Sequence, residues 1–139
     1  MPIQLADLTL SERERDVVER ILRRLREKFA AHLLAVWLYG SRARGDADPG
    51  ETDPDLRSDI DLLAVLDASQ SVEEARLWAL PMVEAEADAL GDSPVYYSLR
   101  IFDAEWLRGR REIESFFTQE VDRDKVVLAG GHLEGSEYR

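Results

Sequence analysis

The sequence contains no cysteine, and it has no apolar run long enough to cross a membrane. Without cysteine, the 139-residue chain can form neither disulfide bonds nor a Cys-ligated zinc site. A membrane-spanning helix needs roughly 18 to 20 consecutive apolar residues, and no segment approaches that length. The first residues, Met1-Pro2-Ile3-Gln4, lack the basic and then apolar pattern of a secretory signal. We therefore expect a cytoplasmic protein that has no membrane segment.

Basic residues are scarce relative to acidic ones. The chain has 18 Lys and Arg residues against 29 Asp and Glu residues, which gives a formal net charge of −11 at pH 7. Proteins that bind long nucleic acids use Lys and Arg to neutralise phosphates, so we expect no such ligand. A small basic patch around a triphosphate remains compatible with this charge. An acidic surface can also dock a basic protein partner.

The apolar residues that are present suffice for a hydrophobic core. They make up 45% of the chain, and the length predicts a single domain over residues 1–139 with its core at about 11–129. Ser11 and Glu14 form a capping box at the start of the first predicted helix. The predicted helices cover residues 11–31, 71–90, 103–107 and 112–122, and the predicted strands cover residues 33–39, 59–66 and 95–102, with a short apolar run at 126–128. This order predicts an α+β fold, in which helices pack on a small mixed sheet.

Three further expectations concern Pro81, the last predicted helix and the residues after Gly130. Pro81 should kink or split its helix, because a proline inside a helix costs about 3 kcal/mol. The last helix should bury Ile113, Phe116 and Phe117 at helical spacing. Residues after Gly130 are expected to be frayed.

The most informative feature is a glycine turn that precedes two closely spaced carboxylates. The segment Tyr39-Gly40-Ser41-Arg42-Ala43-Arg44-Gly45 follows a buried strand, and Ser58-Asp59-Ile60-Asp61-Leu62 opens the next one. Asp59 and Asp61 should share one face, because successive side chains on a strand alternate. Carboxylates so close repel each other, and Mg²⁺, with Mn²⁺ as the alternative, would relieve this repulsion while it also binds substrate phosphates. The backbone N–H groups of the glycine turn would hold those phosphates.

This pattern resembles the signature of the polymerase-β-type nucleotidyltransferase superfamily in its shortest form, the minimal nucleotidyltransferases. Gly40-Ser41, Ala43-Arg44-Gly45 and Ser58-Asp59-Ile60-Asp61-Leu62 match the signature in order, within residues 36–66. The resemblance implies a nucleotidyltransferase fold and transfer of a nucleoside monophosphate, AMP from ATP above all, to an acceptor hydroxyl. Similar proteins act as antitoxins of HEPN toxins, which implies a HEPN-type partner whose tyrosine hydroxyl is the acceptor.

The resemblance also implies a role for each residue of the motif. Asp59 and Asp61 would be the catalytic metal ligands. The nucleotide-binding residues would be Gly40, Ser41, Arg42, Arg44 and Ser58. The two arginines would offset negative charge on the phosphates, because a guanidinium fork suits phosphate geometry. For Arg44 a salt bridge to an acid of the next loop is an alternative, and Ser58 is expected chiefly to cap or buttress its turn.

Two features depart from the family pattern. Twelve residues separate Gly45 from Ser58, more than is usual in the minimal form, and five of them are acidic. Active members place a third carboxylate on a neighbouring strand, but the expected strand, residues 95–102, contains no acid and is only flanked by Asp92 and Asp103. Two hypotheses follow. Either a flanking acid completes an active site, or the chain is a catalytically weak module that binds a nucleotide or a partner.

Overall fold

Five helices and four strands account for most of residues 9–45, 53 and 56–133, which are the residues that the structure, a computed structural model, describes. The predicted loop at 46–57 therefore lies largely outside the described residues. The helices are α1 (Glu12–Phe29), α2 (Ser41–Arg44), α3 (Val72–Ala89), α4 (Ala104–Glu112) and α5 (Phe116–Asp124). The strands are β1 (Leu33–Tyr39), β2 (Ile60–Leu66), β3 (Tyr97–Asp103) and β4 (Val126–Gly130). No helix within the described ranges is both long enough and apolar enough to cross a membrane.

The four strands form one mixed sheet in the order β3-β2-β1-β4. Strand β1 is antiparallel to both β2 and β4, whereas β2 and β3 are parallel. The register places Tyr39 opposite Asp61, and Asp61 opposite Ser98. The end of β1 therefore meets the beginnings of β2 and β3 at one end of the sheet. The predicted α+β class, with helices packed on a small mixed sheet, is confirmed.

Apolar side chains cover both faces of the sheet, as the continuous apolar runs of β1 and β2 predict. One face, which includes Leu62 and Ile101, packs against α1 and α3. The other face, which includes Trp37 and Leu63, packs against α4 and α5. Asp61 belongs to the second face, because side chains on a strand alternate and Leu63 is two residues further on.

The first two long helices begin where the sequence predicts. Ser11 and Glu14 form the expected capping box, in which Ser11 Oγ accepts from the Glu14 amide at 3.2 Å and Glu14 Oε1 accepts from the Ser11 amide at 2.9 Å. Helix α3 is continuous through Pro81, so the expectation of a split is wrong. Pro81 and Leu77 are both exposed, and water can solvate the Leu77 carbonyl that proline leaves without its helical partner.

The last third of the chain departs most from the prediction. Helix α4 extends to Glu112, and α5 begins only after the chain has turned at Glu114, whose φ is +53°. This turn resets the helical phase, so Ile113 and Phe116, predicted to be buried, are 67% and 75% exposed. Phe117 is half-buried and meets Tyr39 edge to face.

The segment directly after Gly130 is not frayed, which corrects the prediction for residues 131–133. Leu133 is buried in the core, and Arg111 donates a hydrogen bond to its carbonyl. Trp37 Nε1 donates to the carbonyl of Gly131 at 2.8 Å. Residues 134–139 lie outside the described part of the chain.

Candidate functional site

The glycine turn after β1 lies directly against the beginning of β2. Gly40 has a φ of +78°, in the left-handed region that favours glycine. A Cβ atom at Gly40 would lie 2.5 Å from Oδ2 of Asp61, closer than two such atoms can approach. The positive φ therefore favours glycine at this position, and a larger residue would also have to displace the Asp61 carboxylate. The turn and the Asp61 carboxylate form one packed unit.

Asp59 and Asp61 lie within electrostatic reach of each other. Asp59 is exposed and Asp61 is half-buried. Burial raises the pKa of Asp61, the Asp59 carboxylate raises it further, and Arg100 and Arg44 act in the opposite direction. The repulsion expected from the spacing of the two acids is thus present in the fold.

The carboxylate pair offers only part of a metal site. Among the residues that the structure describes, no group of three or more His, Asp or Glu side chains could hold a metal ion. Mg²⁺ is commonly bound by one or two protein carboxylates while substrate phosphates complete its coordination. Asp59 and Asp61 therefore fit a cation that arrives with a nucleotide, and they do not form a complete cage.

A small cleft opens beside the glycine turn. Its volume is about 120 Å³, below the roughly 300 to 1,000 Å³ of most small-molecule pockets, so it can receive only part of a nucleotide. The cleft is lined by Tyr39, Gly40, Arg44, Phe117, Glu120, Val121 and Asp124. Arg44 Nη1 lies 3.6 Å from Asp124 Oδ2, and the Arg44 side chain is 42% exposed. Asp124 of α5 is thus one acid partner of Arg44, while most of the next loop, the alternative source of a partner, lies outside the described residues. Because the Arg44 side chain is partly exposed and its nitrogen lies 3.6 Å from Asp124, a phosphate can compete for Arg44.

Arg42 does not face this cleft. Its side chain is 1% exposed, and its terminal nitrogens donate to both carboxylate oxygens of Glu14 at 2.6 and 2.9 Å. The same nitrogens donate to the carbonyls of Thr9 at 2.8 Å and Ser58 at 3.0 Å. The assignment of Arg42 to nucleotide binding is therefore corrected, because a buried guanidinium in this position cannot reach a phosphate. Ser58 buttresses the turn through its carbonyl, and Ser41, the first residue of α2, is half-buried beside Gly40.

Asp92 belongs to the same buried ion network and not to the carboxylate pair. Arg57 donates to Glu14 Oε2 at 3.1 Å and to both oxygens of Asp92 at 2.8 and 2.7 Å. The Tyr97 hydroxyl donates to Asp92 Oδ2 at 2.6 Å. The hydrogen bonds from Arg57 lower the pKa of Asp92 to about 2, despite an opposing effect of burial. Tyr97 packs on the α1/α3 face of the sheet, so Asp92 is committed to the face opposite Asp61.

Asp103 lies at the wrong end of the sheet to complete the site. It caps α4 by accepting a hydrogen bond from the Trp106 amide at 2.7 Å. In the parallel register Asp103 is opposite Leu66, five residues along β2 from Asp61. At about 3.3 Å per residue this separation is about 16 Å. The hypothesis that a flanking acid completes the active site is therefore wrong for both Asp92 and Asp103.

The neighbouring strand presents a basic side chain where the family pattern places an acid. Arg100 lies opposite Leu63 in the β2/β3 register, on the same sheet face as Asp61. It lies close enough to the Tyr39 hydroxyl to affect the pKa of that group, and its guanidinium carbon lies 5.4 Å from the centre of the Phe117 ring. Burial and the Asp61 charge raise the pKa of Tyr39 to about 12, against the opposing effect of Arg100, so Tyr39 stays neutral. The sequence analysis missed Arg100, although it is the one charged residue in 95–102.

These observations define an α+β domain in which one carboxylate of a neighbouring pair packs against a glycine turn beside a basic residue. The family profile of the nucleotidyltransferase domain matches residues 18–114, which is more than half of the chain, and the protein belongs to this family. The resemblance of the motif is thereby confirmed at the level of the family.

Two solved structures are similar to this chain at low sequence identity. One is a protein from Sulfolobus solfataricus, provisionally classed as a nucleotidyltransferase, with 20% identity, a TM-score of 0.45 and coverage of 84% of this chain and 80% of that chain. The other is a toxin–antitoxin complex with AMP-PNP, with 20% identity, a TM-score of 0.49 and coverage of 81% of this chain and 73% of that chain. No curated protein matches the chain.

Proposed function

We propose that this protein is a nucleotidyltransferase that binds a nucleoside triphosphate, ATP first of all, together with Mg²⁺. The observation that carries the proposal is the packing of Gly40 against Asp61, which brings a glycine turn against one of two neighbouring carboxylates in a chain of this family. The repulsion between Asp59 and Asp61 gives the site a reason to take up a cation. The bound cation would neutralise these acids and draw negative charge away from the reacting phosphate.

The protein's own residues would position the triphosphate. Asp59 and Asp61 would hold the metal, and the Gly40–Ser41 turn would contact the outer phosphates. The partly exposed Arg44 would exchange its 3.6 Å contact with Asp124 for a charge-assisted contact to phosphate. An acceptor oxygen would bond to the α-phosphorus while the bond to the β-phosphate oxygen breaks, which releases pyrophosphate and sends the acceptor's proton to solvent. Positioning and charge stabilisation supply most of the catalysis in transfers of this type.

The acceptor we propose is a hydroxyl group of a partner protein, in the manner of a minimal nucleotidyltransferase and its HEPN toxin. This assignment rests on the motif of residues 40–62. The net charge of −11 also suits a basic protein partner better than a nucleic acid.

A second candidate is a module that binds a nucleotide or a partner without efficient transfer. The location of Asp92 and Asp103 favours it, because neither acid can join Asp61. Arg100 stands on the strand that would carry the third carboxylate. Where this module binds a nucleotide, the two candidates share that step and differ only in whether a product forms.

Calorimetric titration of ATP with and without Mg²⁺ tests the shared step. The wild-type protein should bind ATP in a Mg²⁺-dependent way, and Asp59→Asn and Asp61→Asn should each lose this dependence while their thermal unfolding stays unchanged. Asp88→Asn, an exposed acid on α3, serves as the matched control. Wild-type protein that ignores Mg²⁺–ATP would contradict the proposal.

Mass spectrometry separates the two candidates. The wild-type protein, its partner and ATP should give a partner that is heavier by one or more AMP units, and Asp61→Asn should give none. Nucleotide binding without any heavier product would establish the binding module.

A further inference from the structure

Arg100 is the basic side chain that faces the carboxylate pair from the neighbouring strand. The parallel register pairs Asp61 with Ser98 and Leu63 with Arg100. Alternation along both strands places Asp61, Ser98 and Arg100 on one face. The effect of Arg100 on the pKa of Asp61 is electrostatic and agrees with this placement.

Aromatic neighbours flank the guanidinium without enclosing it. Arg100 lies near Tyr39, and its guanidinium carbon is 5.4 Å from the Phe117 ring centre, yet the side chain remains exposed. A guanidinium has several N–H donors, which suit the oxygens of a phosphate. Phe117 and Tyr39 also line the cleft beside Gly40. The guanidinium is therefore oriented and accessible next to the cleft where phosphates would lie.

The local charge also depends on Arg100. A third acid on this strand would give three adjacent negative charges, which suit two divalent cations. With Arg100, the strand instead adds a positive charge beside Asp59 and Asp61. A second divalent cation would be repelled by the guanidinium, whereas a polyphosphate would be attracted by it.

We propose that Arg100 takes the place of a second metal ion: it binds the polyphosphate chain of the nucleotide, so that the site holds a single divalent cation for each bound nucleotide. This inference rests on the proposed function and specifies how its site handles charge. It assigns a nucleotide-binding role to a residue outside the sequence motif.

Equilibrium dialysis against Mn²⁺ and α,β-methylene-ATP tests the stoichiometry, because this analogue cannot release pyrophosphate. The excess of each ligand in the protein compartment over the buffer compartment gives the amount bound. The amount of bound Mn²⁺ divided by the amount of bound nucleotide should be one for the wild-type protein. Arg100→Asp introduces an acid on the strand, and the ratio for this variant should rise towards two. A wild-type ratio of two would overturn the inference.

Calorimetry with the analogue and with AMP separates phosphate binding from support of the sheet. Arg100→Gln should lower affinity for the triphosphate about tenfold or more, as expected for a lost charge-assisted hydrogen bond, and should change AMP affinity much less. Arg110→Gln is the matched control, because Arg110 is also exposed and lies over an aromatic ring, that of Trp106 at 5.5 Å. It should affect neither ligand.

The possible failures are distinguishable. Equal losses for the triphosphate and AMP in Arg100→Gln would show that Arg100 only supports Tyr39 and Phe117, and would refute this inference while the proposed function stands. Wild-type protein that binds neither nucleotide would refute both proposals.

Discussion

Replacing Glu14 with glutamine should destabilise the protein far more than its place in the first turn of a helix suggests. Glu14 is 2% exposed and accepts hydrogen bonds from Arg42, Arg57 and the Ser11 amide. Glutamine retains an acceptor for Ser11 and nearly the same volume. The change therefore removes the negative charge and replaces one acceptor oxygen by an NH2 donor.

The size of the effect follows from what remains buried. Arg57 keeps its bidentate pair with Asp92, so its charge stays compensated. Arg42, at 1% exposure, would retain only the neutral carbonyls of Thr9 and Ser58. Breaking a buried ion pair from one side costs about 3 to 5 kcal/mol, because the other charge stays buried. We expect about 3 kcal/mol for Glu14→Gln, which corresponds to a fall in Tm of roughly 10 to 15 °C for a domain of this size.

Urea unfolding followed by circular dichroism, together with a thermal scan, measures this loss. Glu12→Gln is the matched control, since Glu12 is an exposed acid in the same first turn and should change stability by less than about 0.5 kcal/mol. A free energy of unfolding for Glu14→Gln within about 1 kcal/mol of the wild type would refute the reasoning. It would mean that Arg42 can reach water or another acceptor.

Two further predictions concern the turn and acid stability. Gly40→Ala should displace the Asp61 carboxylate and abolish Mg²⁺-dependent ATP binding in calorimetry. Gly91→Ala is the control, because Gly91 has a φ of +71° and open space around it, so this change should only lower stability. Equal ATP affinity in both variants would contradict the argument from the Gly40–Asp61 contact. Acid should also weaken the fold, because folding lowers the pKa of Glu14 below 4.5 and the pKa of Asp92 from 3.8 to about 2. The stabilisation from these two carboxylates is therefore complete above about pH 4.5 and is lost as the pH falls towards 2. Urea titrations at about pH 5 and pH 3 should show this loss, and Glu14→Gln should show a smaller one; identical pH slopes would argue against the network.

The parts of the fold that the sequence predicted are those with strong local signals. The continuous apolar run at 33–39 ends at a glycine and became β1 at those bounds. The capping box at Ser11 placed the start of α1. The predicted boundary between α4 and α5 was wrong because Glu114 adopts a left-handed conformation, which a glycine in the sequence would normally indicate.

In the candidate site, too, the features that depend on local contacts could be predicted, whereas those that depend on distant contacts could not. The spacing of Asp59 and Asp61, and the contact of Asp61 with Gly40, follow from a short stretch of chain and a single strand pairing. The environment of Arg42 depends on Glu14, 28 residues earlier, so no pattern around the motif could reveal that it is buried. Arg100 was not among the predicted site residues because the family pattern predicts an acid on its strand.

The ion network has a practical consequence for the boundaries of the folding unit. The family profile begins at residue 18 and ends at residue 114. A chain trimmed to those limits would lose Glu14 and leave the Arg42 guanidinium buried without its carboxylate. It would also lose β4, which hydrogen-bonds to β1 along the open side of the sheet. The smallest piece that can be expressed as a stable protein is therefore larger than the segment by which the family is recognised, and it extends at least from Thr9 to Leu133.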